Sequence, residues 1–169
     1  MLIALVLLPV VFIPMLIEAR VAAINERRQR ERGGVEPSSD VYAIMRIAYP
    51  AVFLAMIAEG VWRPGHAFVL AGAVLFVLAK CLKSWAIVTL REAWTFRVIV
   101  RPDVPLVTSG PYRVLCHPNY VAVVGELVGV ALMSGARVAG PLGTIFFSLL
   151  MLRRISVEEE AIEDVNRPI

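Results

Sequence analysis

The sequence predicts an all-α integral membrane helical bundle of about five transmembrane helices, the last two forming a helical hairpin. Three observations predict it. Hydrophobic residues make up 59% of the 169 residues and charged residues only 18%, at a mean hydropathy of +0.74, which is too apolar for a soluble domain. The apolar residues fall in runs close to the roughly 20 residues that a helix needs to cross a bilayer. The charged residues gather in the stretches between those runs. The length suits a single domain, residues 1–169, with no room for a separate catalytic module.

The first span covers about residues 1–20, apolar except for Glu18 and closed by Arg20. It lacks a basic leading segment, so it reads as a span and not as a cleaved signal. Pro9 and Pro14 would kink it, which a packed bundle tolerates. From Arg20 to Asp40 the character inverts. Four arginines interleaved with Glu26 and Glu31, then Gly33, Gly34 and Pro37, predict a solvated connector. The second span, about 41–62, ends at Trp62-Arg-Pro-Gly-His66, where Pro64 and Gly65 break the helix and force a tight turn. The third runs from about 66 to 90. A polar junction, Arg91 to Asn119, follows. The apolar run after it is too long for one span and is interrupted by Ser134, Gly135, Arg137, Gly140 and Pro141, which predicts a hairpin of spans at about 119–134 and 137–153.

Five spans place the first connector, the polar junction and the C-terminus on one side of the membrane, leaving Arg63 and Arg137 on the other. The positive-inside rule makes the first side cytoplasmic and points the N-terminus out. The net charge of +3 therefore reports orientation. Nucleic-acid binding is not expected, because acids interleave the basic run and no aromatics accompany it. Cys81 and Cys116 have no metal-ligand spacing, so neither a disulfide framework nor a metal site is expected.

The stretch Leu106 to Tyr120, LVTSGPYRVLCHPNY, crowds turn residues, two tyrosines, an arginine and a histidine against the start of an apolar helix. Gly110 and Pro111 stop any helix from upstream, and Pro118 suits the first turn of the next one, with His117 at the N-cap position. Free backbone N–H groups and the positive helix end then lie near Tyr112, His117 and Tyr120, which favours an anionic group such as a carboxylate. The plainer account is an interfacial aromatic belt. At the end of the fifth helix, Arg154 and Glu158 are four residues apart and share a face; a solvated surface is the plainer account there. Glu126 lies about 9 Å below Tyr120 along its helix, and Lys80 and Lys83 lie within the third span. Charges at such depth need partners, so Glu126 is expected to face Lys80 or Lys83 across antiparallel helices, as a structural pair.

Leu106 to Tyr120, followed by Arg154-x-x-x-Glu158-Glu159, resembles the isoprenylcysteine carboxyl methyltransferase family, whose pattern reads approximately LVTxGPYxxxRHPxY and then RxxxEExxL. The resemblance extends from Trp85 to Ile162. It implies S-adenosylmethionine as cofactor, with site segments 104–120 and 154–162. Val104, Pro105, Leu106, Val107, Tyr112, His117, Pro118, Asn119 and Tyr120 would line the cofactor pocket. Glu158, with Glu159 beside it, would hold the cofactor's ammonium end, and Arg154 would meet the acceptor. Related membrane enzymes include phospholipid N-methyltransferases and bacterial enzymes that methylate lipid-like polyketides, so the reaction class is better specified than the substrate. Two departures stand out. Cys116 occupies the position of the family's arginine before His-Pro, with Arg113 three residues earlier. A Tyr-containing stretch commonly follows the glutamates in the family, and the sequence ends at Ile169 without it.

The resulting expectation is O-methylation of a lipophilic or prenylated acceptor drawn from the bilayer at the cytoplasmic face. A carboxylate acceptor needs no base and would be oriented by Arg154. A phenol or enol lipid must lose a proton, for which His117 or Glu159 is the candidate base. A non-catalytic helical scaffold is the reading from another class. A transporter is disfavoured because the polar clusters gather at one face and not at the midplane.

Overall fold

Five helices carry the apolar runs: α1 (Leu2–Glu31), α2 (Tyr42–Trp62), α3 (Val69–Leu90), α4 (Pro118–Ser134) and α5 (Ala139–Asn166). The computed structural model describes residues 2–37, 41–63, 65–101 and 107–166, without the side chains of Leu2, Ile162 and residues 164–166. Among the described residues, β structure is limited to the isolated bridge between Val35 and Val100. α1, α2, α3 and α5 are each long and apolar enough to cross a membrane. α4, at 17 residues, is shorter. It is also the inner helix, burying Ala122, Val123, Glu126, Leu127, Val130 and Met133 against its neighbours.

One continuous core joins all five helices, with Leu7 and Val11 of α1, Phe53 and Met56 of α2, Phe76 of α3, Leu127 and Val130 of α4, and Phe147 and Met151 of α5. α3 and α4 run antiparallel at close range. A Cβ on Gly129 would stand 2.9 Å from the Gly72 carbonyl oxygen, and one on Gly125 would stand 2.9 Å from the Ala79 Cβ. Small residues at this seam let the backbones approach, which is how helices gain packing where water supplies no drive. The hairpin between α4 and α5 turns at Gly135, which caps α4 in the left-handed region with φ 71°, a conformation open to glycine at little cost. Beyond it, the Glu59 carboxylate of α2 accepts the backbone N–H groups of Arg137 (3.0 Å), Val138 (3.0 Å) and Ala139 (2.6 Å), so α2 caps the start of α5.

The first connector differs from expectation. Residues 20–31 are not a solvated linker: α1 continues through them to Glu31. Ala22, Asn25 and Gln29 are buried, and with Glu18 they stand at helical spacings of four, three and four on one side of α1. That side packs on the polar junction, where Trp94 and Val98 are also buried. α3 starts at Val69, three residues later than predicted, and Pro64 of the preceding turn lies outside the described residues.

The expected intramembrane pair exists and is larger than expected. Glu126 faces both lysines, Lys80 at 3.1 Å and Lys83 at 3.3 Å. Glu18 of α1 completes a ring, 2.7 Å from each lysine. The Tyr49 hydroxyl of α2 donates to Glu126 at 2.6 Å. Two cations and two anions alternate, so the formal charge sums to zero in the apolar interior.

Candidate active site

Helix direction brings the C-terminal ends of α1, α3 and α5 and the N-terminal ends of α2 and α4 to one end of the bundle. The motif assembles there. Gly110, with φ 58°, opens a short 3-10 turn over Gly110–Arg113. A Cβ on it would stand 2.6 Å from the Thr89 hydroxyl oxygen of α3, so both conformation and space require glycine. α4 then starts as the sequence predicts, with Pro118 at the first position and His117 as N-cap; the imidazole makes no side-chain cap hydrogen bond.

The predicted site residues of α4 and α5 meet at one hydroxyl. Arg154 Nε donates to the Tyr120 hydroxyl oxygen at 3.0 Å, and that hydroxyl donates to Glu158 Oε2 at 3.2 Å. Arg154 is only 7% exposed, so its cation is drawn out of solvent into the α4–α5 seam and is no surface cap. The His117 ring lies 5.4 Å from that of Tyr120, centroid to centroid, and its Nε2 is 3.9 Å from Glu159 Oε1. Tyr112 sits within the field of Glu158. Burial first, and the Glu158 charge second, push its phenol up to about 12, so at neutral pH it is a hydrogen-bond donor and not a base. Asn119 Oδ1 is buried and has no hydrogen-bond partner among the described residues. An orphaned buried acceptor of this kind is costly unless a ligand donor meets it.

Of the residues expected at the site, Tyr112, His117, Tyr120, Arg154, Glu158 and Glu159 are thus brought together, with Pro118 and Asn119 at the same helix start. Val107 is half-buried, and Val104, Pro105 and Leu106 lie outside the described residues. The sequence reading missed Tyr42 at the start of α2, which lies within electrostatic range of Arg154. No local signal ties α2 to the end of α5. Cys116 is exposed, as is Arg113.

The sequence pattern of the isoprenylcysteine carboxyl methyltransferase (ICMT) family matches residues 71–164. The chain belongs to that family. An ICMT-family match of this extent holds α3, the polar junction, α4 and most of α5, and therefore the whole hydroxyl-centred cluster. Beyond it, the chain is 29% identical to the uncharacterized protein YpbQ of Bacillus subtilis over 88% of this chain and 90% of that one. It is 24% identical to an uncharacterized protein of Haemophilus influenzae over 81% of each. A probable protein-S-isoprenylcysteine O-methyltransferase of Oryza sativa subsp. indica is 30% identical over 52% of this chain and 47% of that one. No solved structure matches. With four long apolar helices, the chain is an integral membrane member of the family.

The Tyr120 hydroxyl bonds both Arg154 and Glu158, so its removal has a defined consequence. Tyr120→Phe is expected to destabilise the fold by about 1–2 kcal/mol, because two partly buried charged groups lose a shared partner. Denaturant titration in micelles checks the value.

Proposed function

We propose that this protein transfers a methyl group from S-adenosylmethionine to an oxygen of a lipophilic acceptor that enters from the bilayer at the cytoplasmic face. The acceptor class is a C-terminal S-isoprenylcysteine carboxylate or a lipid acid of similar form. The observation that carries the reading is the Arg154–Tyr120–Glu158 linkage beside the N-terminal end of α4. The name of the rice relative supports the reaction class.

The residues present fit the cofactor. Its amino-acid end carries an ammonium and a carboxylate, which suit the Glu158 carboxylate and the N–H groups at the start of α4. The orphaned Asn119 Oδ1 is an acceptor waiting for a further donor. Val104, Pro105, Leu106 and Val107 belong to the same pocket in this proposal. The cofactor supplies a methyl group activated by a sulfonium.

Everything else falls to the chain. Arg154, held by the Tyr120 hydroxyl, directs its guanidinium charge at an acceptor carboxylate and fixes one oxygen in line for attack. Tyr112 and Tyr120 remain protonated donors. A carboxylate acceptor leaves no proton to remove. A second reading, O-methylation of a phenol or enol lipid such as a long-chain polyketide, draws on His117 Nε2 beside Glu159, a pair suited to take up the proton of such an acceptor. Arginines at the motif end, among them Arg27, Arg28, Arg30 and Arg32, support a cytoplasmic site and an N-terminus outside by the positive-inside rule.

Calorimetric titration with S-adenosylhomocysteine tests the cofactor half. Saturable binding is expected for the wild type, with Glu158→Ala weaker by roughly tenfold or more because a charge-assisted contact is lost. Absence of binding in the wild type would turn the reading to the non-catalytic scaffold.

A further inference from the structure

In the chain that leads into the motif, residues 94–101 follow the 3-10 turn at Arg91–Ala93 without a helix or strand of their own. Several backbone groups of residues 91–97 are satisfied by side chains of α1. Asn25 Nδ2 donates to the carbonyl oxygens of Arg91 (3.0 Å) and Trp94 (2.8 Å). One turn on, Gln29 Nε2 donates to the carbonyl oxygen of Glu92 at 2.8 Å. Glu26 Oε1 accepts the N–H groups of Phe96 (3.1 Å) and Arg97 (3.2 Å). Val35 and Val100 then exchange both backbone hydrogen bonds, each at 3.0 Å.

Ion pairs reinforce the same seam. Glu92 pairs with Arg28 and Arg32. Arg97 lies between Glu26, Glu36 and the Tyr42 ring, with its guanidinium 4.8 Å from the ring centre. Asn25 and Gln29 are buried while doing this. A helix that served only to cross the bilayer would have no reason to continue for three more turns and bury amides there.

We propose that the last three turns of α1 are a positioning clamp for the donor half of the site. Asn25, Glu26 and Gln29 fix residues 91–100, the chain that carries the polypeptide from α3 to the motif. None of the three residues falls within 71–164, the part of the chain that matches the family. They touch no substrate and act through the segment they hold. The inference rests on the methyltransferase reading.

The test is S-adenosylhomocysteine titration of the full-length protein, with melting followed in the same detergent. Asn25→Ala removes two side-chain hydrogen bonds, and Glu26→Ala leaves two N–H groups unpaired. Each is expected to weaken binding roughly tenfold. Gln29→Ala removes one contact and is expected to act in the same direction at about threefold. Glu26→Gln keeps an oxygen to accept both N–H groups and is expected to stay within about twofold of wild type. Glu59→Ala uncaps α5 at the far end of the bundle. It is expected to lower the melting temperature while leaving affinity within about twofold. Unchanged affinity in Asn25→Ala and Gln29→Ala would overturn the clamp. So would a loss in Glu59→Ala equal to that in Asn25→Ala, because the effect would then be general loosening. Failure of the wild type to bind removes the methyltransferase reading itself, and the clamp with it.

Discussion

Arg154→Ala is expected to lower methyl transfer about 100-fold or more, the effect of losing a charge-assisted, two-pronged contact at the reacting end of the acceptor. S-Adenosylhomocysteine affinity is expected to stay within about threefold, because the proposed site holds the donor on Glu158 and the start of α4. Arg154 is 7% exposed and its Nε is held by Tyr120, so in the proposed reaction it meets the acceptor already oriented. Arg154→Lys should recover only part of the rate. An ammonium keeps the charge but not the planar fork. A drop in affinity as large as the drop in rate would instead assign Arg154 to the cofactor.

The second large effect is expected in the charge ring. Lys83→Met leaves Glu18 and Glu126 sharing Lys80 alone, an excess negative charge in an apolar interior. Breaking a buried ion pair from one side typically costs about 3–5 kcal/mol. Unfolding of the purified protein by denaturing detergent should show a loss of that order. Lys83→Met combined with Glu126→Gln restores neutrality, and the glutamine can still accept the Tyr49 hydroxyl. The double variant is therefore expected to be more stable than Lys83→Met alone. Additive losses in the two single variants would show that the four groups do not act as one unit. The ring also explains why α1 stays with the bundle. Its apolar outer face, including Leu5, Ile13, Leu16 and Ile17, is exposed on the outside of the bundle, whereas Glu18 is tied to α3 at two points.

Much of this architecture was legible in the chain. Apolar runs bounded by charges and by Gly or Pro located all five helices, and Gly135 and Arg137 located the final hairpin. Glu126 could be paired with Lys80 or Lys83 from depth alone, because an ionisable group there has no other tolerable fate. Glu18 could not be assigned to the same ring, since nothing in sequence says which side of α1 meets α3. The continuation of α1 was hidden for a related reason. Its buried stripe is Ala22, Asn25 and Gln29, so hydropathy reports only the arginines around it, and the helical spacing of small polar residues was the sole signal. At the site, the order of motifs joined Tyr120 to Arg154 and Glu158, but not through a single hydroxyl. That requires the crossing of α4 and α5.

The central claim is methyl transfer at the hydroxyl-centred cluster. The measurement that tests it most directly is transfer of labelled methyl from S-adenosylmethionine by the purified protein, supplied with a membrane lipid extract and with a prenylated cysteine carboxylate. The expected result is lipid-soluble label released by mild alkali, as an ester requires, and lost in Arg154→Ala. Label that survives alkali would move the acceptor to a phenol or enol. No transfer to any lipid by a wild-type protein that binds S-adenosylhomocysteine would contradict the account.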